Sequence, residues 1–184
     1  MNAHTAQPRH GGVMPKAEIE NIELLCLDVD GVMTDGGILM DDHGVETKRF
    51  HARDGLGLRI WMRLGYHAAI ITGRKGMVVA HRARELGIEH VVLGVDDKRA
   101  ALEGILKQLG LLASEAAVLG DDLPDLPVMC AAGYAMAVAD AACEVRSAAA
   151  FVTTKPGGQG AVREAVEHLL KANGRWDEAI GLFG

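Results

Sequence analysis

The stretch Leu24-Leu25-Cys26-Leu27-Asp28-Val29-Asp30-Gly31-Val32-Met33-Thr34-Asp35 constrains the fold more than any other, because an apolar run stops abruptly at carboxylates separated by a glycine. A short apolar run bounded by turn residues suits a strand buried on both faces of a parallel sheet. Such a strand delivers Asp28 and Asp30 to the carboxyl edge of the sheet, where open α/β sheets bind ligands. Two half-buried carboxylates two residues apart repel unless a cation or a shared proton relieves them. A hard divalent cation held by oxygen ligands, most simply Mg²⁺, provides that relief.

The rest of the chain alternates strand and helix signals. After Asp35, residues 36–40 and 45–50 flank Asp41-Asp42-His43-Gly44, which has the turn chemistry of a β-hairpin. Its first arm is apolar, as in strands that meet another chain. Apolar residues at 56, 60, 61 and 64 follow a helical period, with Asp54 expected as N-cap and Gly65 as C-cap. Strands are expected at 67–72, 91–93, 116–120, 134–138 and 151–153. Helices are expected at 77–86, from Lys98 to Leu109, at about 124–132, from Ala141, and at 159–173 after Pro156-Gly157-Gly158. This alternation predicts an α/β fold, a parallel, doubly wound, three-layer sheet. Asp28, Thr72 and Asp121 each stand at the end of a buried strand and so collect at one edge.

At 184 residues the chain suits one domain. Residues 1–15 lack periodicity and are expected to be a disordered tail, 16–175 the domain, and 176–184 a C-terminal tail. A net charge of −6 and only seven aromatic residues argue against nucleic acid and anionic membrane surfaces as partners. No apolar run reaches the roughly 18 residues that span a bilayer, and the first residues have no signal-peptide pattern. Cys26, Cys130 and Cys143 show no C-x-x-C spacing and sit among alanines or leucines, so they read as free core thiols of a cytoplasmic protein.

Two carboxylates two residues apart allow one to attack while the other exchanges protons. Thr72 and the amide of Gly73 offer neutral donors to an anion, Lys98 adds a positive charge at a helix start, and Asp121 completes an oxygen-rich cation site. These are the parts phosphoryl transfer needs.

In order and spacing, Asp28-Val-Asp30-Gly-Val-Met-Thr34-Asp35, Thr72-Gly-Arg74, Lys98 and Gly120-Asp121-Asp122-Leu-Pro-Asp125 resemble the four motifs of the haloacid dehalogenase superfamily of phosphohydrolases, over about residues 22–175. His51-Ala52-Arg53-Asp54-Gly55, residues 120–129, residues 137–141 and residues 157–164 narrow the resemblance to its capless, tetrameric subclass. The resemblance implies a Rossmann-like fold of the haloacid dehalogenase type, with the hairpin of about 36–50 replacing a cap domain. It implies Mg²⁺-dependent hydrolysis of 3-deoxy-D-manno-octulosonate 8-phosphate, for the inner core of lipopolysaccharide. A nonulosonate 9-phosphate is the alternative substrate, and a sugar-phosphate-binding module without turnover the alternative of another class.

The roles it implies are Asp28 as the nucleophile that forms an aspartyl phosphate and Asp30 as acid and base. Asp28, the backbone carbonyl of Asp30, and Asp121 would hold Mg²⁺, while Thr72 and Lys98 hold the phosphoryl group. Substrate contacts fall on Asp30, His51, Ala52, Arg53, Asp54, Gly55, Arg59, Gly73, Arg74, Arg82 and Lys98. The implied assembly is a homotetramer in which one subunit, and the segment after Gly158, helps to close the next subunit's site. Asp122 and Asp125 read as supports that orient Lys98 or cap a helix, and Trp61 and Met62 as core or interface. Arg163 either pairs within its helix or reaches a ligand, and Gly157-Gly158 is either a plain linker or part of the covering segment.

Overall fold

The computed structural model describes residues 19–184, so the tail expected at 1–15 lies outside the described residues. Six parallel strands form the main sheet: β1 (Leu24–Leu27), β4 (His67–Thr72), β5 (His90–Leu93), β6 (Ala116–Gly120), β7 (Tyr134–Ala137) and β8 (Phe151–Val152), in the order β5-β4-β1-β6-β7-β8. Between β1 and β4 come the hairpin strands β2 (Leu39–Met40) and β3 (Glu46–Thr47), which pair antiparallel as a separate small sheet. The helices are α1 (Ala52–Arg63), α2 (Met77–Leu86), α3 (Lys98–Leu109), α4 (Leu126–Ala131), α5 (Cys143–Ala148), α6 (Ala161–Ala172) and α7 (Trp176–Gly181). α1 packs on α6 and α2, while α3 packs on α4 and α4 on α5, giving the two helical layers of a doubly wound fold.

Every residue of β1 and β6 is buried, as expected for central strands covered by helices on both faces. From β1 the chain builds outward through β4 and β5, then returns to lay β6 on the other side of β1. The connections therefore diverge between β1 and β6, and a crevice opens above their carboxyl ends. Leu27 lies beside both Ile70 and Leu119, so Asp28 and Asp121 leave adjacent strands almost level, with Thr72 on the other side of β1.

Several local expectations are corrected. Asp54 does not cap the helix in which it sits: α1 begins at Ala52 with His51 as its cap residue and no side-chain cap bond. The Asp54 carboxylate instead accepts from the backbone amides of Gly160 (3.2 Å) and Arg163 (2.8 Å), capping α6 across the core. Gly57 permits that closeness, since a Cβ there would stand 3.2 Å from the Cα of Arg163. Gly157 is no plain linker, because a Cβ on it would fall 1.7 Å from the carbonyl oxygen of Gly31. Cys26 is buried, but Cys130 and Cys143 are exposed; both lie on short helices whose apolar spacing is too brief to fix a face. Trp61 is core, fully buried, stacked on Tyr66 at 4.0 Å and donating from Nε1 to the carbonyl of His67. Residues from 176 on begin with α7, whose Ala179 is buried.

Candidate active site

The loop after β1 is wound tightly on itself. The carbonyl of Val29 accepts from the amides of Met33 (2.9 Å) and Thr34 (3.0 Å), and the buried Thr34 hydroxyl accepts from the amide of Gly36. Gly31 sits in this loop at φ 95°, and a Cβ there would stand 2.1 Å from Oδ2 of Asp121. Only glycine meets both demands without strain. The amide of Gly158 donates to the carbonyl of Val32 and that of Gly157 to Asp140, so the segment ahead of α6 braces the loop from behind.

Two charged clusters meet at this edge. In the first, Lys98, the opening residue of α3, reaches back under the sheet edge with its ammonium 2.7 Å from Oδ1 of Asp28 and 2.6 Å from Oδ1 of Asp125. Carboxylate oxygens of Asp28, Asp121 and Asp125 lie within 4.8 Å of one another. Both oxygens of Asp125 are engaged, Oδ1 by Lys98 and Oδ2 by the amides of Asp121 and Asp122. That is the supporting role expected of Asp125, and Asp122 caps the short turn at Leu123.

One lysine cannot balance three carboxylates. Burial, with the negative charge of Asp125, pushes the Asp28 carboxyl up to about 6 despite the Lys98 ammonium beside it. Burial and the charges of Asp28 and Asp125 push Asp121 up to about 8. Burial also works against the Lys98 ammonium, but Asp28 and Asp125 outweigh it and hold its pKa above that of an ordinary lysine. The cluster therefore lacks positive charge. Its donors are hard oxygens, with Asp28 and Asp121 not tied down as Asp125 is, and this set fits Mg²⁺.

The second cluster was not legible beforehand. Lys48, just beyond β3, turns its ammonium inward onto Oδ1 of Asp30 and lies 3.0 Å from Oε1 of Glu46. The same Glu46 oxygen accepts from Arg74 at 2.8 Å, and Nε of Arg74 lies 3.8 Å from Oδ2 of Asp30. The hydrogen bond from Lys48, joined by Arg74, holds Glu46 below the usual carboxylate range. Strand period alone puts Glu46 and Lys48 on one face, but it does not say that this face looks at Asp30.

Of the remaining expected residues, Thr72 and Gly73 stay at this edge at the end of β4, and the others are dispersed. The Thr72 hydroxyl accepts from the amide of Arg74, and Gly73 follows at the end of β4. Arg59 donates to the backbone carbonyl of Glu85 and Arg82 to its side chain, and both line a cavity of about 200 Å³ with Ala52 and Gly55. His51 and Arg53 line another, of about 560 Å³, beside the start of α6. Arg163 pairs with Glu167 in its own helix. A third cavity of about 500 Å³ runs from Glu46 and Arg74 to the exposed Met40, Val45 and Met77.

A family model for haloacid dehalogenase-like hydrolases matches residues 94–165. The 3-deoxy-D-manno-octulosonate 8-phosphate phosphatase of Escherichia coli K12 is 46% identical over 165 residues, covering 90% of this chain and 88% of that protein. The enzyme of the same name from Haemophilus influenzae is 40% identical, covering 90% and 94%. The crystal structure of that phosphatase from Moraxella catarrhalis, with magnesium, phosphate and KDO bound, superposes with a TM-score of 0.88 at 44% identity, over 91% of this chain and 96% of that one.

Proposed function

This chain belongs to the 3-deoxy-D-manno-octulosonate 8-phosphate phosphatases of the haloacid dehalogenase-like hydrolases, and from that membership we propose that it hydrolyses this sugar-acid phosphate to the free sugar acid and phosphate, as a step in making the lipopolysaccharide inner core. The observation that carries the reading is the convergence of Asp28, Asp121 and the Lys98 ammonium at the divergence of β1 and β6. Asp28 attacks phosphorus while the bond to the sugar 8-oxygen breaks. The electron pair goes to that oxygen, which takes a proton from Asp30. Asp30 then removes a proton from the water that cleaves the aspartyl phosphate and returns Asp28.

Thr72, with the Gly73 amide, and Lys98 hold the phosphoryl oxygens. Asp28, Asp121 and the backbone carbonyl of Asp30 would hold Mg²⁺, which when bound offsets the charge between nucleophile and phosphoryl group. The substrate carboxylate calls for cations, and Arg74, whose Nε lies 3.8 Å from Oδ2 of Asp30, is the arginine nearest to that edge. His51, Ala52, Arg53, Asp54, Gly55, Arg59 and Arg82 complete the proposed contacts through assembly. A homotetramer built on the hairpin is supported by Ile38, Leu39, Met40 and Val45, each more than half exposed. The domain is proposed as 16–175 and the segment after Gly158 as the part that helps to close a neighbouring site, with 176–184 a C-terminal tail whose α7 packs on α6. Three free cysteines suit a reducing cytoplasm, and among the described residues no helix is long and apolar enough to cross a membrane.

A panel of phosphorylated sugar acids assayed with magnesium tests the substrate. The octulosonate 8-phosphate should give the highest kcat/KM, and a higher value for a nonulosonate 9-phosphate would refute the assignment. Asp28→Asn, or a chelator with the wild-type protein, should abolish turnover. Activity surviving either change would refute the mechanism.

A further inference from the structure

We propose that Lys48 is a positioning residue for Asp30, holding one carboxylate oxygen so that the other is presented to the reacting oxygen; this rests on the reading of Asp30 as acid and base. A lysine beside an exposed two-stranded hairpin ordinarily extends into water. The Lys48 side chain is instead 1% exposed, with its ammonium on Oδ1 of Asp30 and on Glu46. Oδ2 of Asp30 is buried and has no hydrogen-bond partner, and the same is true of Nε of Arg74, 3.8 Å away. Two unpartnered polar atoms thus share one space at the edge where the phosphoryl group is read to sit.

The terminal torsion of an aspartate is broad, so a free Asp30 would present either oxygen, in many orientations. Lys48 removes that freedom by occupying one oxygen. Glu46 in turn fixes Lys48 and Arg74 through a single oxygen, so the four side chains form a balanced set of two carboxylates and two cations. The hairpin therefore supports the chemistry of its own chain, beyond any part in assembly.

Leaving-group dependence tests this. The sugar 8-oxygen departs as an alkoxide and needs a proton, whereas p-nitrophenolate departs without one. In Lys48→Met, aspartyl-phosphate formation from the octulosonate 8-phosphate, followed by rapid quench, should slow by about 10²-fold, the scale of a small misplacement of a catalytic group. KM should change little, the p-nitrophenyl phosphate burst should be nearly unaffected, and Lys48→Arg should restore most of the rate. Equal losses with both substrates, or no loss, would overturn the proposal. Asp30→Asn run in parallel separates the two levels: if it discriminates between the substrates and Lys48→Met does not, the role of Lys48 alone is wrong. If Asp30→Asn treats both alike, the reading of Asp30 falls and the proposal with it. Should Lys48→Met fail to fold, Glu46→Gln, which loosens the second anchor of Lys48, should show the same discrimination to a smaller degree, and its absence would equally overturn the idea.

Discussion

Replacing Lys98 by methionine should expose how much of the site's stability depends on one shared cation. The Lys98 ammonium lies within hydrogen-bond distance of both Asp28 and Asp125, and all three side chains are nearly inaccessible. Methionine keeps most of the volume, so the loss is chiefly electrostatic. Removing one partner of a buried ion pair costs about 3–5 kcal/mol. For a chain of this size each kcal/mol lowers Tm by about 2–4 °C, so the deficit should be about 6–20 °C.

Its pH dependence follows from Asp28. With a folded pKa of about 6, above the value for an unfolded aspartate, its stabilising contribution is present at low pH and lost as pH rises through 6. Lys98 is the neighbouring group that lowers this pKa, so without it the folded value climbs and the loss deepens. In chelator the Tm gap between variant and wild type should therefore widen from about pH 5 to about pH 8. Magnesium should narrow the gap, and Asp125→Asn in the variant background should recover part of it. Thermal unfolding across this range is the assay. A gap below about 2 °C at the upper pH, or one constant with pH, would refute the account of Lys98 as the shared counter-charge.

Asp54→Ala should remove the cap of α6 at a cost of about 1–2 kcal/mol, or about 2–8 °C in Tm, with Asp54→Asn losing less. Amide hydrogen exchange should localise the effect to Gly160 and Arg163, whose amides the carboxylate holds, rather than to the first turn of α1. His168 stacks on Phe151 at 3.8 Å and bonds the Tyr134 hydroxyl, and burial holds its pKa below that of an ordinary histidine. Its contribution to stability is present above the unfolded pKa and fades as pH falls below it. His168→Gln should therefore flatten the drop in Tm on mild acidification, as differential scanning calorimetry at stepped pH would record.

The order of elements, the parallel sheet and the Asp28, Thr72 and Asp121 edge were legible because each depends on a local signal. A buried strand announces itself as a continuous apolar run, and the residue that ends it is delivered to the sheet edge whatever the helices do. The reach of Lys98 was half legible, since its position at the start of a helix was plain but its two carboxylate partners were not. Asp54 misled for a physical reason: an aspartate three residues into a helical pattern offers the same oxygen to its own first turn or to another helix. Gly57, on the same helix, lets α6 come close enough to take it, but the α6 amides that Asp54 caps lie 106 and 109 residues further along the chain.

Local order along the chain was thus enough to specify the fold class and the acidic edge, because backbone propensity and the periodicity of apolar residues act over a few residues. It could not specify which way the hairpin's charged face turns. Lys48 and Glu46 meet Asp30 and Arg74 only once the loop after β1, the hairpin and the end of β4 are packed together. Opposite charges brought together by folding are chosen by distance in space, and separation along the chain carries almost no record of it.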